Sequence, residues 1–314
     1  MTAPDRTGTR GAAGRTRNRF LLGGLVAGWL GLLLGGSSIG WAAPDSGPRI
    51  VSLAPHLTEL AFEAGLGERL VGAVEWSDHP EAAQRLPRIG DAFRFDPERI
   101  VELEATHALA WTGGTPAAAI EQIGALGIEV VEIETRTLDQ IATGLETLAA
   151  LGRRPSDGRR AAERFRAALD ARRAAPEESA EALRIFYQVS ARPLFTLGGR
   201  HVVNEVFALC GASNAFAELD VEAAAVGVEA VLEVGPDLVL VGVDAGGGEA
   251  DLQRKAQAAV HPALGATRCL SVRGVEAAPL VRPTPRILDA ADRLCERLDA
   301  FRSAADPACG SDRN

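Results

Sequence analysis

The chain has 314 residues, room for two domains of ordinary size, and 46% of them are apolar, enough to fill two cores. Formal charge is −9, and the first 42 residues hold five arginines and one aspartate, so the rest of the chain carries 28 basic against 41 acidic residues. An acidic body argues against a nucleic-acid partner, which needs clustered Lys and Arg to meet phosphate, and leaves a basic protein surface as a partner.

The N-terminus reads as a signal peptide spanning residues 1–42. Arg6, Arg10, Arg15, Arg17 and Arg19 form a basic start and Phe20 to Leu34 an apolar run. Gly40-Trp41-Ala42 then places small residues at positions −3 and −1 of a cleavage site after Ala42. The apolar run, about 15 residues, falls short of the ~20 that span a membrane. Cleavage and release into the periplasm is the expectation, with retention as an anchor the alternative. No Cys lies near the site to carry a lipid, and R-T-R-N-R is not a paired-arginine signal.

Arg49 to Leu53 predicts a strand and Ala54 to Phe62 a helix, with Thr58 and Glu59 at its N-terminus, where an acid suits the dipole, and Gly65 and Gly67 at its end. Leu70 to Val74 is a second strand, leading to the polar loop Glu75-Trp76-Ser77-Asp78-His79-Pro80. Pro87 to Phe95 is rich in turn formers. A helix over Pro97 to Leu103 precedes a strand over Ala108 to Trp111. Gly113 to Pro116 opens a further helix that Gly127 closes, and a strand over 128–133 and a helix over 138–151 follow.

Pro155 to Ala174 forms a long helix, with Ser156 or Asp157 as its cap and no breaker before Pro176. Phe165 and Leu169 share one face and the remainder is mostly charged or Ala, a thin apolar stripe suited to bridging two bodies.

The second half continues the alternation. Strands are predicted over 183–189, 238–243 and 269–275, and helices over 201–210, 228–234, 251–260 and 284–301. At an offset of 131 residues Glu98 falls on Glu229, Ile100 on Val231, Val101 on Leu232 and Glu102 on Glu233. Two similar halves follow from this repeat. Alternating strands and helices on short connections imply parallel sheets covered by helices.

Ligands of such sheets bind beyond the carboxyl ends of the strands. Those ends offer His56, Trp76 and Trp111 in the first half, and the Arg192-Pro193-Leu194-Phe195 loop and the segment after Val275 in the second. Trp76, in a polar loop, is a candidate ligand contact; Trp111, ending an apolar strand, is assigned to the core. The sequence has no G-x-S-x-G, no H-E-x-x-H, no phosphate loop and no G-x-G-x-x-G after a strand, and its five histidines are scattered. A binding protein with no catalytic residue, cofactor or metal site is therefore expected. Cys210, Cys269, Cys295 and Cys309 permit three complete pairings, among which spacing does not choose, and there is no C-x-x-C.

Several stretches in order carry a resemblance: R-I-V-S-L-A-P-x-x-T-E-L-A-F (49–62), S-D-x-P (77–80), E-R-I-V-x-L (98–103), A-W-x-G-G (110–114), Q-I-x-x-L-G-I-x-V (122–130), P-x-F-T-x-G (193–198), N-x-V-x-x-x-C-G (204–211) and P-R-I-L-x-A-A-x-x-L-C (285–295). From about Arg49 to Phe301 the chain resembles the metal-chelate substrate-binding proteins of ABC importers, and among them the periplasmic cobalamin binders. The resemblance implies an α/β fold of two similar lobes, each a mainly parallel sheet with flanking helices, joined by one long α-helix (class III). The expected division is a signal peptide 1–42, an N-terminal lobe 48–151, a connecting helix 152–176, a C-terminal lobe 181–302 and a flexible tail 303–314.

It further implies that Glu98 and Glu229 dock on a two-fold ABC permease dimer and that Cys210 pairs with Cys295. Ligand contacts carried over are Trp76, Phe195 and the segment Ala278, Pro279, Leu280, Val281 and Arg282; beside them Pro55 and His56, at a strand's carboxyl end, are candidates through backbone donors. Two ligand-flanking tryptophans of close relatives fall near Ala92 and Ala223; Phe93 stands beside the first and no aromatic near the second. The expected ligand is cobalamin or a related corrinoid, held by a monomer that meets the membrane only through the permease. The alternatives are haem or a ferric siderophore, with His56 or Tyr187 on iron, and a secreted metal-dependent hydrolase.

Overall fold

The computed structural model describes residues 47–91, 93–174, 182–244, 246–268 and 270–304. The targeting stretch 1–42, Ala92, Cys269, Cys309 and residues 305–314 of the tail lie outside them. The first half runs β1 (Ile50–Ser52), α1 (Pro55–Glu63), β2 (Leu70–Ala73), α2 (Pro97–Glu102), β3 (His107–Trp111), α3 (Ala117–Ala125), β4 (Glu129–Ile133) and α4 (Leu138–Leu151). Helix α5 (Pro155–Arg173) follows. The second half runs β5 (Leu183–Ala191), β6 (Leu194–Leu197), α6 (Val203–Leu209), β7 (Ala212–Asn214), β8 (Ala223–Ala225), α7 (Val228–Val234), β9 (Leu238–Val243), α8 (Glu249–Ala259), α9 (Pro262–Gly265), β10 (Ser271–Glu276), α10 (Ala277–Val281) and α11 (Ile287–Ser303).

The first sheet has the order β2-β1-β3-β4 and is parallel throughout. The second has the order β10-β9-β5-β6-β8, with β7 also on β5. In it β10, β9, β5 and β7 are mutually parallel, but β6 runs antiparallel to both β5 and β8. This corrects the expectation of a plain repeat: Arg192-Pro193 turns a hairpin, so Leu194 and Phe195 belong to a strand rather than to a loop. A hairpin needs only a tight turn, whereas a parallel partner needs a long crossover. The repeat itself is visible in α2–β3 and α7–β9, since β3 lies beside β1 as β9 lies beside β5.

Local chemistry accounts for the helix ends and corrects two expectations. Pro55 occupies the first turn of α1 and Ala54 caps it without a side-chain bond, so Thr58 and Glu59 sit one turn inside, both buried. Proline's fixed φ favours an early start. Likewise α5 begins at Pro155 after Arg154, and neither Ser156 nor Asp157 caps it. A polar cap does form on α4, where Thr137 and Gln140 make a reciprocal capping box.

Helix α5 buries Gly158, Ala161, Ala162, Phe165 and Leu169. A Cβ on Gly158 would stand 2.6 Å from that of Ala149, so glycine is what lets α5 lie close on α4. The same stripe joins a continuous apolar core that takes in Leu57 and Leu145 of the first lobe and Phe207 and Leu294 of the second. The connecting helix is thus packed between the lobes' cores rather than merely tethering them. The disulfide is Cys210–Cys295, linking the end of α6 to α11 across 85 residues of sequence.

Candidate ligand cleft

A cavity of about 230 Å³ opens between the two lobes. The first lobe contributes His56 from the start of α1, Trp111 from the end of β3 and Thr135 from the end of β4. The second contributes His201 and Val202 before α6, Glu222 before β8, and Val281, Arg282 and Pro283 after β10.

His56 stands edge-on to Trp111, with ring centroids 5.0 Å apart, and its Nε2 lies 3.4 Å from Thr135 Oγ1. Burial first, then the nearby charges of Arg282 and His201, push its pKa down to about 3. His201 accepts the Val203 N–H on Nδ1 at 3.1 Å, and burial pushes it down to about 4. Both imidazoles are therefore neutral at neutral pH. Trp111 Nε1 is buried without a hydrogen-bond partner among the described residues.

Two sets of ion pairs cross from lobe to lobe beside the cavity. Glu59, only 3% exposed, accepts from Arg286 Nε at 3.0 Å, Arg286 Nη2 at 2.7 Å and Arg282 Nη1 at 3.3 Å. Arg282 also donates to Asp78 Oδ1 at 2.5 Å and to the Trp76 carbonyl at 3.2 Å. Burial alone would raise the Asp78 carboxyl; the Arg282 hydrogen bond and charge outweigh it and hold the pKa below the usual range. In the second set Arg136 Nε lies 3.4 Å from Glu222 Oε1. Here burial prevails, and the Glu222 carboxyl is pushed up despite Arg136 and Arg200.

Of the ligand contacts expected from the sequence, His56, Val281 and Arg282 are brought together on this cavity, and Pro55 precedes it on α1. Pro279 and Leu280 are buried, Leu280 within the core, and Ala278 is half-buried on α10. Trp76 and Phe93 are each 76% exposed and do not line the cavity, and Phe195 is half-buried on β6 opposite Ala225. Trp76 has a φ of 64°, a left-handed conformation that costs a non-glycine residue roughly 1–2 kcal/mol and that suits a carbonyl held by Arg282. Tyr187 lies in the core on β5, 2% exposed, away from the cavity.

Trp111, expected in the core, does pack against it, half-buried, and also lines the cavity. Sequence reading did not single out Thr135, Arg136, His201 or Glu222, which stand in polar connections with no motif around them. Glu59 did carry a signal, a carboxylate between Leu57 and Leu60 on a buried helix face, which demands a cationic partner.

Glu98 and Glu229 are exposed in the first turns of α2 and α7, with no ion-pair partner among the described residues. One turn on, Val101 and Leu232 are exposed apolar residues, 54% and 45%.

The family model described as "Periplasmic binding protein" matches residues 50–268. The chain belongs to the periplasmic binding protein family. Within the family it is 37% identical over 257 residues to a vitamin B12-binding protein of Vibrio cholerae, covering 82% of this chain and 91% of the relative. Among solved structures, the periplasmic vitamin B12-binding protein BtuF of Vibrio cholerae superposes with a TM-score of 0.68 at 34% identity, over 81% of this chain and 98% of that one. The periplasmic haem-binding protein RhuT from Roseiflexus superposes at 0.63 with 26% identity, over 80% and 97%. The two-lobed fold joined by one helix is that of these periplasmic binding proteins.

Proposed function

We propose that this periplasmic binding protein captures cobalamin or a related corrinoid between its lobes and hands it to an ABC permease, without turnover of its own. The observation that carries the reading is the cavity between the lobes, walled from both sides and lined by Val281 and Arg282, which the cobalamin-binder resemblance named, and by His56 at a strand's carboxyl end. The curated relative named for vitamin B12 supports it. At about 230 Å³ the cavity falls below the ~300–1,000 Å³ of sites for drug-sized ligands, so a corrinoid places an edge in it rather than entering whole. Trp76, whose carbonyl Arg282 holds, and Phe93, both exposed, are then the flat surfaces offered to the ring.

Glu98 and Glu229 serve as the docking pair, one per lobe, with Val101 and Leu232 beside them. Exposed carboxylates at both ends meet a two-fold partner and speed encounter by charge complementarity. The signal peptide places the protein in the periplasm, and residues 48–151 and 181–302 are the two lobes that close on the ligand.

Isothermal titration of the mature protein with cyanocobalamin tests the reading: saturable binding is expected, and no heat at high micromolar ligand refutes it. One observation favours a second reading, haem. Two neutral imidazoles, His56 and His201, face one cavity, and neutral imidazole is an iron ligand. A Soret band with hemin that His56→Ala or His201→Ala abolishes supports that reading in place of the first.

A further inference from the structure

The cavity wall has one cation, Arg282, and one anion, Glu222. Neither is available to a charged ligand. Arg282 already meets two carboxylates, Asp78 and Glu59, and Glu59 is shared with Arg286. Glu222 is paired with Arg136, which also faces Glu134 at 3.6 Å. The remaining polar groups are uncharged: two neutral imidazoles, the Thr135 hydroxyl, and the indole N–H of Trp111, which is buried without an acceptor. On His201 the Val203 N–H occupies Nδ1, which leaves Nε2 as the protonated nitrogen and hence a donor.

A ligand carboxylate entering this space loses water and finds no free cation. It would have to displace Asp78 or Glu59 from Arg282, or compete with Glu222 for Arg136 in a poorly solvated site. A carboxamide brings no charge, and its oxygen and N–H₂ match the donors and acceptors that the wall holds. We infer that the cleft selects ligands whose edges carry carboxamides over the same ligands carrying carboxylates, and that Glu222 sets this preference. The inference rests on the corrinoid reading only for the choice of the first probe, because it concerns the charge of the wall.

The test compares cyanocobalamin with its derivative in which side-chain carboxamides have been hydrolysed to carboxylates, titrated into the mature protein at pH 7.5. The amide form is expected to bind at least tenfold more tightly, and Glu222→Gln is expected to narrow that ratio at least fivefold. Equal affinities in the wild type, or a ratio unmoved in a folded Glu222→Gln protein, overturn the inference. If neither corrinoid binds, the corrinoid reading fails and the comparison moves to hemin and hemin dimethyl ester. Tighter binding of the ester then upholds the charge preference; tighter binding of the free dicarboxylate, or binding of neither, overturns it.

Discussion

The carboxylate of Glu59 on α1 is gripped by the guanidinium of Arg286, through Nε at 3.0 Å and Nη2 at 2.7 Å, across 227 residues of sequence. This fork joins the first lobe to the second beside the cavity, and Arg282 adds a third donor to the same carboxylate. Removing one partner of a buried pair leaves an uncompensated charge, at a cost of roughly 3–5 kcal/mol. Glu59→Ala is expected to lose about that much in urea unfolding, while Glu59→Asp retains part of it. A loss under about 1 kcal/mol would show the pair to be solvated.

The disulfide between Cys210 and Cys295 closes a span of 85 residues. In the chain-entropy account such a loop contributes about 4 kcal/mol. Replacing both cysteines with serine is expected to lower the unfolding free energy by that order, leaving the fold intact by circular dichroism. Unchanged unfolding midpoints under reducing and oxidising conditions would contradict it.

Acid is expected to destabilise the protein through His56 and His201. Their folded pKa values are about 3 and about 4, against 6.5 in an unfolded chain, so below pH 6.5 the unfolded state binds protons that the folded state refuses. The contribution is fully present above pH 6.5 and is lost as pH falls towards the folded values, by about 3 kcal/mol for each histidine at pH 4. Melting temperatures between pH 7 and pH 4 should drop steeply in the wild type and less steeply in His56→Gln and His201→Gln. Parallel slopes in all three proteins would mean that neither histidine carries the effect.

Docking and ligand capture should separate. Glu98→Ala and Glu229→Ala are expected to keep ligand affinity within about twofold and to weaken permease binding about tenfold each, more so at low salt, where exposed charges are unscreened. Surface plasmon resonance on the reconstituted permease reads this; a mutant that loses ligand affinity instead has been given the wrong role.

Motion between the lobes should be small. Helix α5 is continuous over 19 residues and its buried stripe belongs to the core of both lobes, so there is no loop hinge to swing about. Small-angle scattering with and without ligand is expected to show nearly the same radius of gyration. A change on the scale of a wide hinge opening would place the flexibility outside α5.

Sequence alone determined the parts whose physics is local. The strand–helix alternation, the stripe of Phe165 and Leu169, and the 131-residue repeat follow from periodicity and turn chemistry, and each reappears in the fold. Motif order was enough to name the Cys210–Cys295 pair, and the end of β1 pointed to His56, which stands on one cavity with Val281 and Arg282. Tertiary structure decided what depends on distant partners. Glu59 found its meaning only with Arg282 and Arg286, more than 220 residues away. The antiparallel β6, the cavity face of Trp111, and the neutral His201 and paired Glu222 on the same wall were equally out of reach. Burial and charge pairing are properties of residues far apart in the chain, and only the closed cleft brings them within a few ångströms of one another.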